Sequence, residues 1–167
     1  MRRNEKGITL IALVITIIVL IIIAGVAIAM ISGNNGIFTK SGEAVARNEI
    51  GAVQDQCVVT AAETVTNYWY GLYVNNTTIG ENAVNYGEGY SVEKMDNIVL
   101  NQIVGLNSSY PNIEIAQVTS AAATSGTLTT KASFTLTYKS VARITGTIDN
   151  GKITWTGYTY TDTGLTS

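Results

Sequence analysis

The chain has 167 residues, of which 46% are apolar and 13% charged, a charged share about half the usual one. It has no histidine and one cysteine, Cys57, which excludes His-ligated metals, histidine-dependent triads, an intrachain disulfide and multi-cysteine metal sites. The formal net charge is -2 with no basic patch beyond the first six residues, so nucleic acid is not expected as a partner.

Residues 1–7 read MRRNEKG and set Arg2, Arg3 and Lys6 against Glu5. An apolar stretch of 24 residues follows, Ile8–Ile31, interrupted only by Thr9, Thr16 and Gly25. As an α-helix it would be about 36 Å long, enough to cross the hydrocarbon core of a bilayer. Both threonines can return their hydroxyls to a carbonyl one turn back, which makes them tolerable in lipid. The basic end is expected to stay in the cytoplasm. Three readings fit this stretch. One is a cleaved secretory signal, with Ala27 and Ala29 as a small-x-small site, although the run exceeds the usual core of about 7–15 residues. The second is a plain single-pass anchor. The third is a prepilin signal.

The third reading rests on Lys6-Gly7, then Ile8-Thr9-Leu10-Ile11-Ala12-Leu13-Val14. This run resembles the start of the type IV pilin and pseudopilin superfamily. Members carry a short basic leader ending in Gly, a hydrophobic residue, Thr-Leu, and a long apolar helix. The resemblance covers roughly residues 2–31. It implies that a membrane-embedded aspartyl prepilin peptidase cuts between Gly7 and Ile8 and methylates the new amine of Ile8. It also implies that residues 8–31 serve first as a membrane anchor and later as a filament core, with Ala12, Thr16 and Gly25 where neighbouring helices approach. The implied partners are further copies of the chain in a helical homopolymer, the peptidase, an inner-membrane assembly platform and minor pilins. The implied location is the cytoplasmic membrane before assembly and an extracellular filament afterwards. No cofactor is implied. One position departs from the pattern: the family usually has glutamate five residues into the mature helix, and this chain has Ala12. Alanine is cheaper than a carboxylate in lipid, but it leaves the Ile8 ammonium without that partner. Some minor pilins also lack the glutamate.

Ser32-Gly33-Asn34-Asn35-Gly36 is a breaker cluster, and residues 32–38 are expected to interrupt the helix. Helix is expected again over 39–73, capped by Thr39 or Ser41. A stripe at Ala46, Ile50, Val53, Cys57, Ala61, Val65, Tyr68 and Leu72 has the three-and-four spacing of an amphipathic helix. Glu43 and Arg47 form an i,i+4 pair on its exposed side. Cys57, on the stripe, reads as a small buried hydrophobe. Tyr68, Trp69, Tyr70 and Tyr73 read as the wide end of the face that meets a sheet, with a sugar or base platform as the alternative.

Residues 74–167 read as a β-rich head. Its first part is polar and glycine-bearing, with a short helix expected over 92–104. After Pro111, alternation begins at Ile113, Ile115 and Gln117. It continues over Thr127–Tyr138, returns over Val141–Ile148, and returns again over Lys152–Tyr160 after the turn signal Asp149-Asn150-Gly151. An antiparallel meander of three or four strands is expected, one face buried and one outward. Threonine occupies 15 of the 49 residues from Thr119 to Ser167, which gives an uncharged outer face suited to dense packing of copies. An ice- or sugar-binding face is the alternative. The sequons at Asn75, Asn76 and Asn107 mark exposed loops.

The expected fold class is α+β: a long N-terminal α-helix, apolar in its first half and amphipathic in its second, packed on a small antiparallel sheet. No catalytic residues are expected, because no phosphate loop, nucleophile elbow or metal-ligand spacing occurs. Three functions fit: a structural pilin subunit, a minor pilin or type II secretion pseudopilin, and a monomeric membrane-anchored binding module.

Overall fold

The computed structural model describes residues 5–33, 36–74 and 90–160. The fold is α+β, with a long apolar N-terminal helix, further helices and an antiparallel sheet. Packing divides the described residues into two units, one reaching Gly42 and one beginning at Glu43.

In the first unit, helix α1 spans Glu5–Ser32 and helix α2 begins at Ile37. Glycine makes the break between them. Gly33 closes the last turn by donating its N–H to the Ala29 carbonyl at 3.2 Å, and Gly36 donates to the Gly33 carbonyl at 2.6 Å. A Cβ on Gly36 would lie 2.8 Å from both the Gly33 oxygen and the Ile31 carbonyl carbon, so no other residue fits there without a backbone shift. Helix resumes two residues earlier than the Thr39 cap requires, because the Gly36 carbonyl already accepts the Lys40 N–H at 3.1 Å. The Thr39 hydroxyl donates to the Gly33 carbonyl at 3.3 Å.

The second unit takes α2 on to Val74 and adds helix α3, Val92–Gly105, with a 3-10 turn over Leu106–Ser109. Its strands are β1 (Ile113–Thr119), β2 (Ala122–Thr124), β3 (Thr127–Thr130), β4 (Ala132–Tyr138), β5 (Ala142–Asp149), β6 (Lys152–Trp155) and β7 (Thr159–Tyr160). The main sheet runs β1-β4-β5-β6, antiparallel throughout, and β7 pairs with β5 farther along the same edge. β2 and β3 form a separate hairpin.

Two expectations about strands are corrected. The run Thr127–Tyr138 is two strands, divided at Lys131. β3 folds back on β2 through Ser125-Gly126, whose φ values of 52° and 79° make a two-residue left-handed loop. The run Lys152–Tyr160 is likewise interrupted. β6 lies against Gly146–Asp149 and β7 against Ala142 and Arg143; between them Thr156 still donates its N–H to the Thr145 carbonyl at 3.0 Å, and the register then shifts by one residue before β7. At the gap the Thr156 hydroxyl accepts the Thr145 N–H at 3.1 Å. The interruption shifts the alternation, so Tyr158 turns inward and donates its hydroxyl to Gln54 of α2 at 2.9 Å. A strict two-residue period puts it outside.

The buried face of the sheet carries Ile113, Ile115, Ala132, Phe134, Leu136, Ala142, Ile144 and Ile148. Onto it pack Ala46, Ile50, Val53, Cys57 and Ala61 of α2, and Val99, Leu100 and Ile103 of α3. The helical stripe and the two-residue strand period therefore meet in one core. Burial pushes the Cys57 thiol up to about 12, which leaves it protonated and unreactive at neutral pH. The aromatic end of α2 departs from expectation. Tyr68 is buried against Met95 of α3, not against the sheet, while Trp69 and Tyr70 are exposed. The outer face of the sheet pairs Thr135 with Thr145, Ser133 with Thr147, and Thr147 with Thr154.

Ser91 caps α3, its side chain accepting the Lys94 N–H at 3.3 Å. One turn in, the fully buried Asp96 carboxylate accepts the Asn150 N–H at 3.1 Å and the Gly151 N–H at 2.7 Å. Asn150 and Gly151 have φ values of 51° and 75° and join Asp149 to Lys152, a type I′ loop whose two amides no strand can satisfy. Burial raises the Asp96 carboxyl above its usual range, against the lowering effect of the two amides, and Asp149 adds to the rise. The folded chain then holds this proton more tightly than the unfolded one. Its contribution to stability is full below the unfolded value of about 3.9 and is lost as pH rises through the raised folded value. Melts across that window should show wild type gaining on Asp96→Asn as pH falls. A pH-independent difference would refute the assignment.

Candidate functional site

The apolar helix α1 carries the residues singled out in the sequence. From Leu10 to Ile31 it runs 22 residues without a charge, about 33 Å at helical rise, which is long enough to span a membrane. Every large apolar side chain in that span is at least 40% exposed. Over Leu10–Ile31 the exposure lies on all sides, so among the described residues no face of this span is covered by the chain itself.

The helix runs through the Gly7–Ile8 bond, with Lys6, Gly7 and Ile8 in its first turns. Arg2 and Arg3 lie outside the described residues. Ala12 and Thr16 are exposed on one side of the helix, and the Thr16 hydroxyl donates to the Leu13 carbonyl at 2.8 Å. Its polarity is thus met within its own helix. Gly25 lies nine positions beyond Thr16, about 180° round the axis, and so faces the opposite side. A Cβ at Gly25 would meet nothing within 4 Å. Ala29 follows Gly25 by one turn, so each side of α1 carries a pair of small residues four apart: Ala12 with Thr16, and Gly25 with Ala29. Such pairs let a neighbouring backbone come close. Thr16 and Gly25 therefore do not converge on one side, and Ala24, about 80° from Thr16 and about 100° from Gly25, lies off both, so small residues occur on several sides of α1.

On the second unit, the guanidinium of Arg47 lies over two stacked tyrosines, 5.6 Å from the Tyr158 ring centroid and 5.3 Å from that of Tyr160. It also donates to the Tyr160 hydroxyl. That bond, followed by the Tyr160 charge, raises the Arg47 pKa, and Glu43 contributes less. The i,i+4 neighbour Glu43 acts in the same direction, alongside these two tyrosines from the far end of the sheet. The long-range partners were hidden because the phase of Tyr158 and Tyr160 depends on the interruption before them. Trp69 stacks on Tyr90 with ring centroids 4.8 Å apart, which ties one exposed aromatic of α2 to the chain entering α3. Tyr73 and the sequons at Asn75 and Asn76 fall where side chains or backbone lie outside the described residues. Asn107 is exposed, and its Oδ1 accepts the Ile115 N–H at 3.1 Å.

No family model, no curated protein and no solved structure matches the chain.

Proposed function

We propose that this chain is a membrane-anchored subunit of a polymer whose core is built from its apolar helices. More specifically, it is a pilin-like protein that assembles into an extracellular type IV pilus-like filament after its leader is removed. The observation that carries this reading is the exposure of α1 on all sides, next to the run Lys6-Gly7-Ile8-Thr9-Leu10. A single helix with this exposure needs lipid or other helices around it. Small residues on several sides suit a subunit with more than one neighbour, as a polymer requires and a simple dimer does not.

Cleavage between Gly7 and Ile8 acts on the first turns of α1. Those turns are the least costly to open, because helix ends lack a full set of backbone bonds and glycine lowers helical propensity by about 1 kcal/mol. Removal of MRRNEKG takes away three positive charges and one negative, moving the formal balance from -2 to -4. Ala12 favours a second reading, a minor pilin or pseudopilin, in which few copies join a short or capped assembly and the acid-to-amine pairing is dispensed with. In either case the prepilin peptidase, an inner-membrane platform and further pilin-like chains are the partners.

Intact mass of protein sheared from the cell surface tests the reading. The expected species lacks seven residues and carries one added methyl on Ile8. Surface material that still begins at Met1 would overturn the processing claim and leave the monomeric anchored module as the better account.

A further inference from the structure

We propose that the Asn150–Gly151 bond is a latent self-modification site, held unreactive by a clamp from Asp96 and Tyr90. Asparagine followed by glycine is open to a known intramolecular reaction. The Gly151 nitrogen attacks the Asn150 amide carbon. A carbon–nitrogen bond forms, the bond to Nδ2 breaks, and the proton from the Gly151 N–H leaves with ammonia. Water then opens the cyclic imide to aspartate or isoaspartate at position 150. No oxidant or cofactor enters.

Three features of the turn oppose the first step. As the first central residue of a type I′ turn, Asn150, with φ 51°, has a ψ of about 30°. That ψ sets the Gly151 nitrogen nearly opposite the Asn150 Cβ about the Cα–C bond, whereas ring closure needs the two eclipsed. The Gly151 N–H is donated to Asp96 Oδ1 at 2.7 Å, so its proton is held, and a carboxylate beside it disfavours the negative charge that the attacking nitrogen must develop. The Asn150 side chain is itself fixed, because its Oδ1 accepts the Tyr90 hydroxyl at 2.7 Å. Tyr90 in turn is stacked on Trp69 of α2. The reaction therefore requires the β5–β6 turn to leave both α3 and the Trp69–Tyr90 stack. Its rate reports the opening of that turn.

Modification is also one-way. It adds a negative charge beside the buried Asp96 and beside Asp149. In the isoaspartate form it also lengthens the main chain by one carbon within a two-residue loop. Neither change fits a turn that Asp96 clamps through both amides.

The test uses the full chain in detergent micelles, aged at neutral pH and 37 °C in ¹⁸O-water, with peptide mapping for label at position 150. Urea-unfolded chain gives the unclamped rate. Folded wild type should react at least ten-fold more slowly than the unfolded chain. Asp96→Ala and Tyr90→Phe should each accelerate the folded reaction. Tyr90→Phe keeps the ring stack and removes only the hydroxyl, so it stays informative if Asp96→Ala fails to fold. Folded wild type reacting as fast as unfolded chain, or Tyr90→Phe leaving the rate unchanged in a chain with a wild-type melt, would overturn the clamp. A folded rate above the unfolded one would overturn it too, and would make Asp96 a base for the reaction.

Discussion

If the chain polymerises as proposed, phenylalanine in place of Gly25 should leave it inserted and folded but abolish the fibres. A Cβ at Gly25 meets nothing within 4 Å, so the larger side chain has no clash to make inside its own subunit. Replacing glycine within a helix favours the helical state by up to about 1 kcal/mol, and an added aromatic ring favours lipid. Membrane extraction and the melt of the second unit should therefore match wild type. Between subunits the balance reverses. Gly25 and Ala29 form the small patch on one side of α1, and a ring there holds off the neighbour's backbone over a whole turn. Lipid already satisfies the apolar surface, so assembly depends on close fit. Electron microscopy of sheared surface material should show fibres for wild type and none, or at least ten-fold fewer, for Gly25→Phe. Loss of insertion along with fibres would indicate an anchoring defect and remove Gly25 from the packing interface.

Valine in place of Gly146 should do the opposite, harming the subunit itself by about 1–3 kcal/mol or somewhat more. Gly146 sits in β5 opposite Phe134 on one side and Trp155 on the other. The two rings meet edge to face above it, with centroids 5.5 Å apart. A Cβ at this position would lie 2.6 Å from Phe134 Cζ and 2.8 Å from Trp155 Cζ3. Phe134 is fully buried and cannot swing away, so strain would spread into the sheet. Chemical denaturation should show the lowered midpoint. Near-ultraviolet circular dichroism should show the aromatic signal of the pair disturbed. A midpoint equal to wild type would mean that the rings re-stack freely and that the glycine is not needed for their packing.

Gly146 also shows where sequence reading stops. In the alternation of β5 it looks like a gap in an apolar row, and only the pairing with Phe134 and Trp155 shows that the gap is filled from both sides. Local signals were read well. The stripe from Ala46 to Tyr68, the extent of α3 and the Asn150-Gly151 hairpin each depend on residues a few positions apart. The Ser125-Gly126 loop is legible in the same way, as a Ser-Gly pair between threonine-rich runs, and it sets off the β2–β3 hairpin. Asp96 could not be read. A carboxylate in an amphipathic helix is ordinarily solvated, and its two amide partners lie 54 and 55 positions away. The phase of Tyr158 failed for a related reason: one interruption in a strand reverses every later side chain. For the candidate assembly segment, the apolar length is plain in the sequence. The opposition of Ala12 and Thr16 to Gly25 follows once residues 5–32 form a single uninterrupted helix.

The interruption between β6 and β7 bears on how copies behave when crowded. An open antiparallel sheet ends in two rows of unpaired amides, and such rows can recruit a strand from another molecule and grow into aggregates. Here both rows are spoiled. On the β1 side, the Asn107 side chain takes the Ile115 N–H, and the register slips between Gln117 and Thr119. On the other side, the strand breaks at Thr156–Tyr158 before a second molecule could pair along its length. Subunits brought to high local concentration can then touch through their threonine faces and helices without zipping their sheets together. Repairing the edge, for example by deleting Gly157 so that β6 runs on into β7, would restore a continuous template and should make the head prone to aggregate.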